Sequence, residues 1–168
     1  GEDTLSLHDA LPICRRLIPA RRPLRGQGRA RLAVVAIGGR IDEEDVDGWR
    51  VLAPIYMRSD RFEAAADAYG RVVAAGAADA DTQEAYGIAL VAAAGGVVSA
   101  KAQGVFADVV KAAPDRPSAR FYLAEALRQA GDAKAALVEI DAAIARSPAD
   151  APWLETVRGK RAELLGQL

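Results

Sequence analysis

The sequence predicts an all-α fold of stacked helical hairpins, on the strength of three observations. Half of the residues are apolar but only 5% are aromatic, a composition that suits helices packed through small side chains better than a sheet rich in Val, Ile and Tyr. Beyond Asp45, apolar stretches with helical spacing alternate with short breaks. Those stretches recur at a near-constant interval, since the equivalent positions Val46, Ala80 and Pro117 stand 34 and 37 residues apart.

The front of the chain is set apart from that pattern. Thr4 to Ile13 reads TLSLHDALPI, which resembles one reading frame of a widely used sequencing adapter and on that reading carries no function. It holds the single histidine, His8, and Cys14 follows at its edge. From Arg15 to Arg40 there are eight arginines (15, 16, 21, 22, 25, 29, 31 and 40) and no acidic residue, with Pro19, Pro23, Gly26, Gly28, Gly38 and Gly39 interrupting any helix. A basic arm for nucleic acid or anionic lipid is one reading of this stretch. A non-native or disordered leader over residues 1–40 is the other, favoured because aromatic residues for base stacking are missing. The chain carries −1 overall; taking away +8 for Arg15 to Arg40 and −3 for Gly1 to Cys14 leaves −6 on the remainder.

Three units are expected between residues 41 and 150, at about 46–79, 80–116 and 117–150. In the first, Trp49, Leu52, Ala53 and Tyr56 lie on one helical face, Ser59-Asp60 makes a turn, and a second helix carries Ala65, Tyr69 and Val72. Bulky residues on a first helix and a small one where the second crosses it are the tetratricopeptide layout, whose period is 34 residues. The middle unit has Tyr86, Gly87 and Leu90, then Ala102, Phe106, Val109 and Pro114, with a longer loop through Gly95-Gly96-Val97-Val98 that accounts for its 37-residue spacing. Ser99 is its expected N-cap. In the third, Leu123, Ala124 and Leu127 precede the turn Ala130-Gly131-Asp132, then come Ala136, Ile140, Ala143 and a closing Pro148. Gly131 suits a left-handed helix end and Pro148 a helix stop. A capping helix is expected over 151–168, with Pro152 in its first turn and Trp153, Leu154, Val157 and Leu164 on its apolar side. The predicted whole is three tetratricopeptide (TPR) helix-turn-helix hairpins in a right-handed solenoid plus that helix. Trp49, Tyr56, Phe62, Tyr69, Phe106, Tyr122 and Trp153 are expected to pack between helices.

Little chemistry is available beyond binding. One cysteine and one histidine leave no cluster for zinc, haem attachment or a catalytic triad, so no cofactor or metal is expected. The carboxylates Glu63, Asp67, Glu139 and Asp141 fall at exposed helical spacing and are explained by solvated faces rather than by general acid–base work. No enzyme is expected. The near-balanced charge argues against nucleic acid as a partner, and the longest apolar run near the front, Leu32 to Ile37, is far short of the roughly 18 residues of a membrane span.

In tetratricopeptide arrays the first helix of each hairpin lines a concave surface, so its outward positions are candidate ligand contacts. These are Arg50, Pro54, Met57 and Arg58 in the first unit, Glu84, Ile88 and Val91 in the second, and Phe121, Glu125, Arg128 and Gln129 in the third. An apolar strip of Met57, Ile88, Val91 and Phe121 flanked by Arg50, Arg58 and Arg128 would suit an amphipathic helix bearing acidic residues, with Met57 able to repack around differing side chains. An ordinary solvated face is the plainer reading. Pro54 stands out, because within a helix it cannot donate to the Arg50 carbonyl; it either bends the groove mouth or merely accommodates packing.

Two stretches go beyond a generic repeat: DGWRVLAPIYMRSDRFEAAADAY from Asp47 to Tyr69, and ALVAAAGGVVSAKAQGVF from Ala89 to Phe106 followed by ARFYLAEALRQAGD from Ala119 to Asp132. Together they resemble the C-terminal region of cytochrome c-type biogenesis proteins of the CcmI/CycH kind, from about Ile41 onward, the Gly-Gly loop being the most specific part. The resemblance implies a periplasmic tetratricopeptide domain, tethered by an N-terminal membrane segment. Such a domain holds the C-terminal helix of apocytochrome c as a chaperone and presents it to the haem-ligation machinery. The front of this sequence departs from that pattern, having no membrane segment ahead of the repeats, so this chain is expected to be soluble and joined to a membrane only through a missing anchor. A tetratricopeptide scaffold for an unrelated partner is the competing expectation.

Overall fold

A computed structural model describes residues 45–168 of the chain. The readings made for residues 1–40, including His8, Cys14 and the arginine run, lie outside the described residues. Among those described there are seven helices and no strand: α1 Val46–Arg58, α2 Phe62–Ala74, α3 Ala80–Ala93, α4 Ala100–Ala112, α5 Pro117–Gln129, α6 Ala133–Arg146 and α7 Leu154–Leu165. Each helix packs on the next in chain order, an arrangement consistent with a solenoid of tetratricopeptide hairpins.

Local chemistry sets the helix ends. The side chains of Asp45, Asp79, Ser99 and Asp132 accept from the backbone N–H three residues on, capping α1, α3, α4 and α6. At the far end of α5, Gly131 N–H donates to the Arg128 carbonyl and Asp132 N–H to that of Leu127. That pair of bonds needs the left-handed backbone that Gly131 supplies at φ +81°. Asp60 fills the equivalent place after α1 at φ +54°, where the short polar side chain of an aspartate is among the few tolerated. Pro152 does not open α7 as expected. It lies in the turn before Leu154, whose N–H reaches back to the Ala151 carbonyl, so the first helical N–H is already bonded and the helix starts two residues later.

The core divides at the middle hairpin. One cluster joins Ala53, Ala65, Ala66, Ala68, Tyr69, Tyr86 and Ala89; the larger runs from Ile88 and Val91 through Phe106, Phe121, Tyr122 and Ile140 to Val157 and Leu164. Gly87 shows why a small residue is required where paired helices cross: a Cβ there would lie 2.7 Å from ring atoms of Phe106. Phe106 in turn stacks on Tyr122 at 4.7 Å and 11°, tying the second hairpin to the third. Of the aromatics expected in the core, Tyr69, Phe106 and Tyr122 are buried, while Trp49, Tyr56, Phe62 and Trp153 are half-buried. Trp49 and Tyr56 keep one face for arginine: the guanidiniums of Arg71 and Arg61 lie 4.7 Å over the two rings.

Candidate binding groove

The first helices of successive hairpins, α1, α3 and α5, carry all eleven candidate contacts, and the structure sorts them into two sets. Arg50 and Arg58 are exposed, Pro54 and Met57 half-buried, and Gln129 exposed at the end of α5. The Arg50 guanidinium donates to the Ala77 carbonyl and lies 3.8 Å from Asp47. Helix α1 runs unbroken from Val46 to Arg58 through Pro54. Met57 packs against both core clusters.

The second set is closed off. Ile88, Val91 and Phe121 are 1%, 3% and 2% exposed, Phe121 meeting the Tyr122 ring edge-on at 5.6 Å. Three of the four apolar strip residues therefore belong to the core and line no open channel, which corrects their expected outward placement. The cause is close helix approach: the alanine and glycine positions at the crossings let neighbouring helices come near enough for these side chains to be shared between them. Glu84 and Glu125 are buried too, and Arg128 is drawn in by pairing with Glu125.

Glu84 sits at the heart of a clasp between α3 and α5. Its carboxylate accepts from Arg116 Nη1 at 2.9 Å and from the Ser118 hydroxyl, while Arg116 Nη2 reaches Asp81 at 2.5 Å. Burial pushes the Glu84 carboxyl above its ordinary range; the Arg116 hydrogen bond and charge pull the other way, and Asp81 adds to the rise. Arg116 moves up as well, because its hydrogen bonds to Asp81 and Glu84 outweigh a desolvation that favours deprotonation. Both groups move up, but for different reasons: Glu84 lies deep and bears the desolvation cost of its charge, whereas Arg116 stays partly in water and is held charged by its carboxylate partners.

Glu125 is held differently. Arg128 Nε and Nη2 donate to its Oε1 at 2.9 and 2.5 Å; its Oε2 has no hydrogen bond, and Lys160 Nζ of α7 stands 3.8 Å away. Glu139 and Asp141, read from sequence as solvated carboxylates, are ion-paired across helices with Arg120 at 2.8 Å and Arg161 at 2.6 Å.

Two curated relatives share this stretch. Cytochrome c-type biogenesis protein CycH of Rhizobium meliloti (strain 1021) is 41% identical over 124 residues, covering 74% of this chain and 32% of its own length. Cytochrome c-type biogenesis protein CycH of Bradyrhizobium diazoefficiens is 35% identical over 127 residues, covering 74% of this chain and 34% of its own. The chain belongs to the CcmI/CycH family. It spans about a third of the length of these relatives. No family model and no solved structure matches it.

For this CcmI/CycH chain, no described helix is long and apolar enough to cross a membrane, and the described residues contain no group of three or more His, Cys, Asp or Glu side chains placed to hold a metal. Sequence reasoning missed Asp81, Arg116, Ser118 and Lys160 as partners of the buried glutamates. Ser118 stands 34 residues beyond Glu84 although these two units are offset by 37, so the repeat register did not point to the pair. Val98 was also missed, and its N–H donates to Gln129 Oε1 at 3.1 Å.

Proposed function

We propose that this chain is the peptide-holding part of a cytochrome c maturation factor: a non-catalytic helical-repeat module, acting in the periplasm, that keeps the C-terminal helix of apocytochrome c available for haem ligation. What carries the reading is a chain of hairpins continuous in sequence with two relatives named for cytochrome c-type biogenesis. Contact begins at the accessible side of α1, where Met57 offers a half-buried apolar surface beside exposed Arg58. A helix with apolar and acidic residues on one face complements that pair.

The test is a titration of the chain against synthetic peptides from the C-terminal helix of an apocytochrome c, with scrambled peptides as control. Saturable binding that weakens on Arg58→Ala and Met57→Ala is the expected result. Equal affinity for scrambled peptides would refute the apocytochrome reading and leave a scaffold for another partner.

A further inference from the structure

Among the described residues, large apolar side chains stand exposed at four places, and three of these belong to the last two helices: Val138 of α6 at 66%, Leu165 of α7 at 45%, and Leu168 just beyond it. The outer face of a terminal repeat is expected to be polar. The seam between α6 and α7 departs from that rule. The two helices, joined by seven residues, pack as antiparallel neighbours, and the 2.6 Å ion pair between Arg161 and Asp141 fixes their register. Val138 lies three residues before Asp141 and Leu165 four after Arg161, so both fall level at one end of the seam. Arg146, five after Asp141, and Glu155, six before Arg161, fall level at the other end. Between them, Ala142, Ala145 and Ala162 offer little bulk to keep another helix away.

Level by level, α6 and α7 complement each other: apolar with apolar at Val138 and Leu165, anion with cation at Asp141 and Arg161, cation with anion at Arg146 and Glu155. A surface of that kind is complementary to itself, which is what a two-fold interface requires. From this we infer that the α6–α7 seam is a self-association surface whose occupant is a second copy of this chain. A two-fold rotation about an axis along the seam lays α6 of one copy on α7 of the other. Val138 then packs on Leu165 of the second copy, and the two Asp141–Arg161 pairs join in one cluster of alternating charge. Arg146, bonded within its own chain to the Ala142 carbonyl, gains the exposed carboxylate of Glu155. The inference is independent of what α1 binds.

Sedimentation velocity of the full chain over a range of concentrations tests this, with circular dichroism to confirm that each variant keeps its helices. The wild-type chain is expected to form a reversible dimer. Val138→Glu places a carboxylate against the apolar end and should weaken dimerisation by at least about tenfold. Asp141→Arg and Arg161→Asp should each abolish it, because four like charges then meet at the centre, whereas an equimolar mixture of these two variants should dimerise, the cations of one meeting the anions of the other. A wild-type chain that stays monomeric at every concentration would overturn the second copy and leave the seam to a helix of another protein. A dimer that survives all three substitutions, or charge variants that stay monomeric when mixed, would overturn the pairing of seam with seam.

Discussion

Glu84 and Glu125 are both buried glutamates on first helices, each facing the next hairpin or helix along the stack, yet they are treated in opposite ways. Both oxygens of Glu84 are bonded across the α3–α5 junction, by Arg116 and by Ser118. Glu125 takes its hydrogen bonds from Arg128 on its own helix, leaves Oε2 without one, and meets α7 only through Lys160 at 3.8 Å. A buried carboxylate satisfied by a neighbouring element fixes the position of that element; one satisfied within its own helix fixes little beyond its own rotamer. The α3–α5 junction is thus the polar lock of the array. Helix α7 instead rests on Leu154, Val157 and Leu164 and on the surface pair Arg161–Asp141.

Removing the cation from the lock should have the largest effect. Arg116→Met leaves Glu84 buried with only a hydroxyl and a backbone N–H to bond it, and breaking a buried pair in this way costs about 3 kcal/mol. Urea unfolding measures it. A loss below about 1 kcal/mol would mean that solvent already shares the carboxylate, as for an exposed pair, and the contrast with Glu125 would collapse.

A smaller effect lies in pH. Because the folded-state Glu84 carboxyl is raised, the folded chain holds its proton more tightly than the unfolded chain does. That contribution to stability is complete below the unfolded carboxyl range and is lost as pH rises through the raised folded value. Glu84→Gln has no such loss, so its stability relative to wild type should climb in urea titrations as pH rises from the ordinary carboxyl range through the raised Glu84 value. A difference that stays constant with pH would show that burial does not penalise the charge. In Arg116→Met the pH-dependent loss should deepen, because the charge that pulls the Glu84 carboxyl down is gone.

The same contrast explains what could be read from the sequence. Hairpin order, the Ser99 cap and the turn at Gly131 follow from local chemistry and a repeat period, and each is visible in the residues themselves. The groove is a different matter. Position in the repeat put Ile88, Val91 and Phe121 on the inner side of their helices, but how far that side is open depends on how tightly successive hairpins close and on where an inserted loop comes to rest. Both are properties of several units together: Val98 meets Gln129 across 31 residues, and Glu84 meets Arg116 across 32. Neither pairing has a local signature.

At the weaker junction, Lys160→Met keeps the aliphatic stem and removes a cation that is close to Glu125 without bonding it, so about 1 kcal/mol of attraction should be lost, well under the cost at Arg116. Its other partner, Glu163, is exposed enough to add little.

The smallest change is expected from Glu125→Gln. The amide oxygen can still accept from Arg128, with weaker bonds because the charge is gone, while the amide nitrogen takes the place of an oxygen that had no hydrogen bond to lose. One unsatisfied group replaces another in the same buried space, and removing the charge relieves its desolvation. These terms oppose each other, so the variant should unfold within about 1 kcal/mol of wild type. Unfolding at least 2 kcal/mol less stable would mean that Oε2 takes a strong bond in solution, from Lys160 or from a bridging water. The two glutamates would then be equivalent locks, and α7 would be held to the stack as firmly as α5 is held to α3.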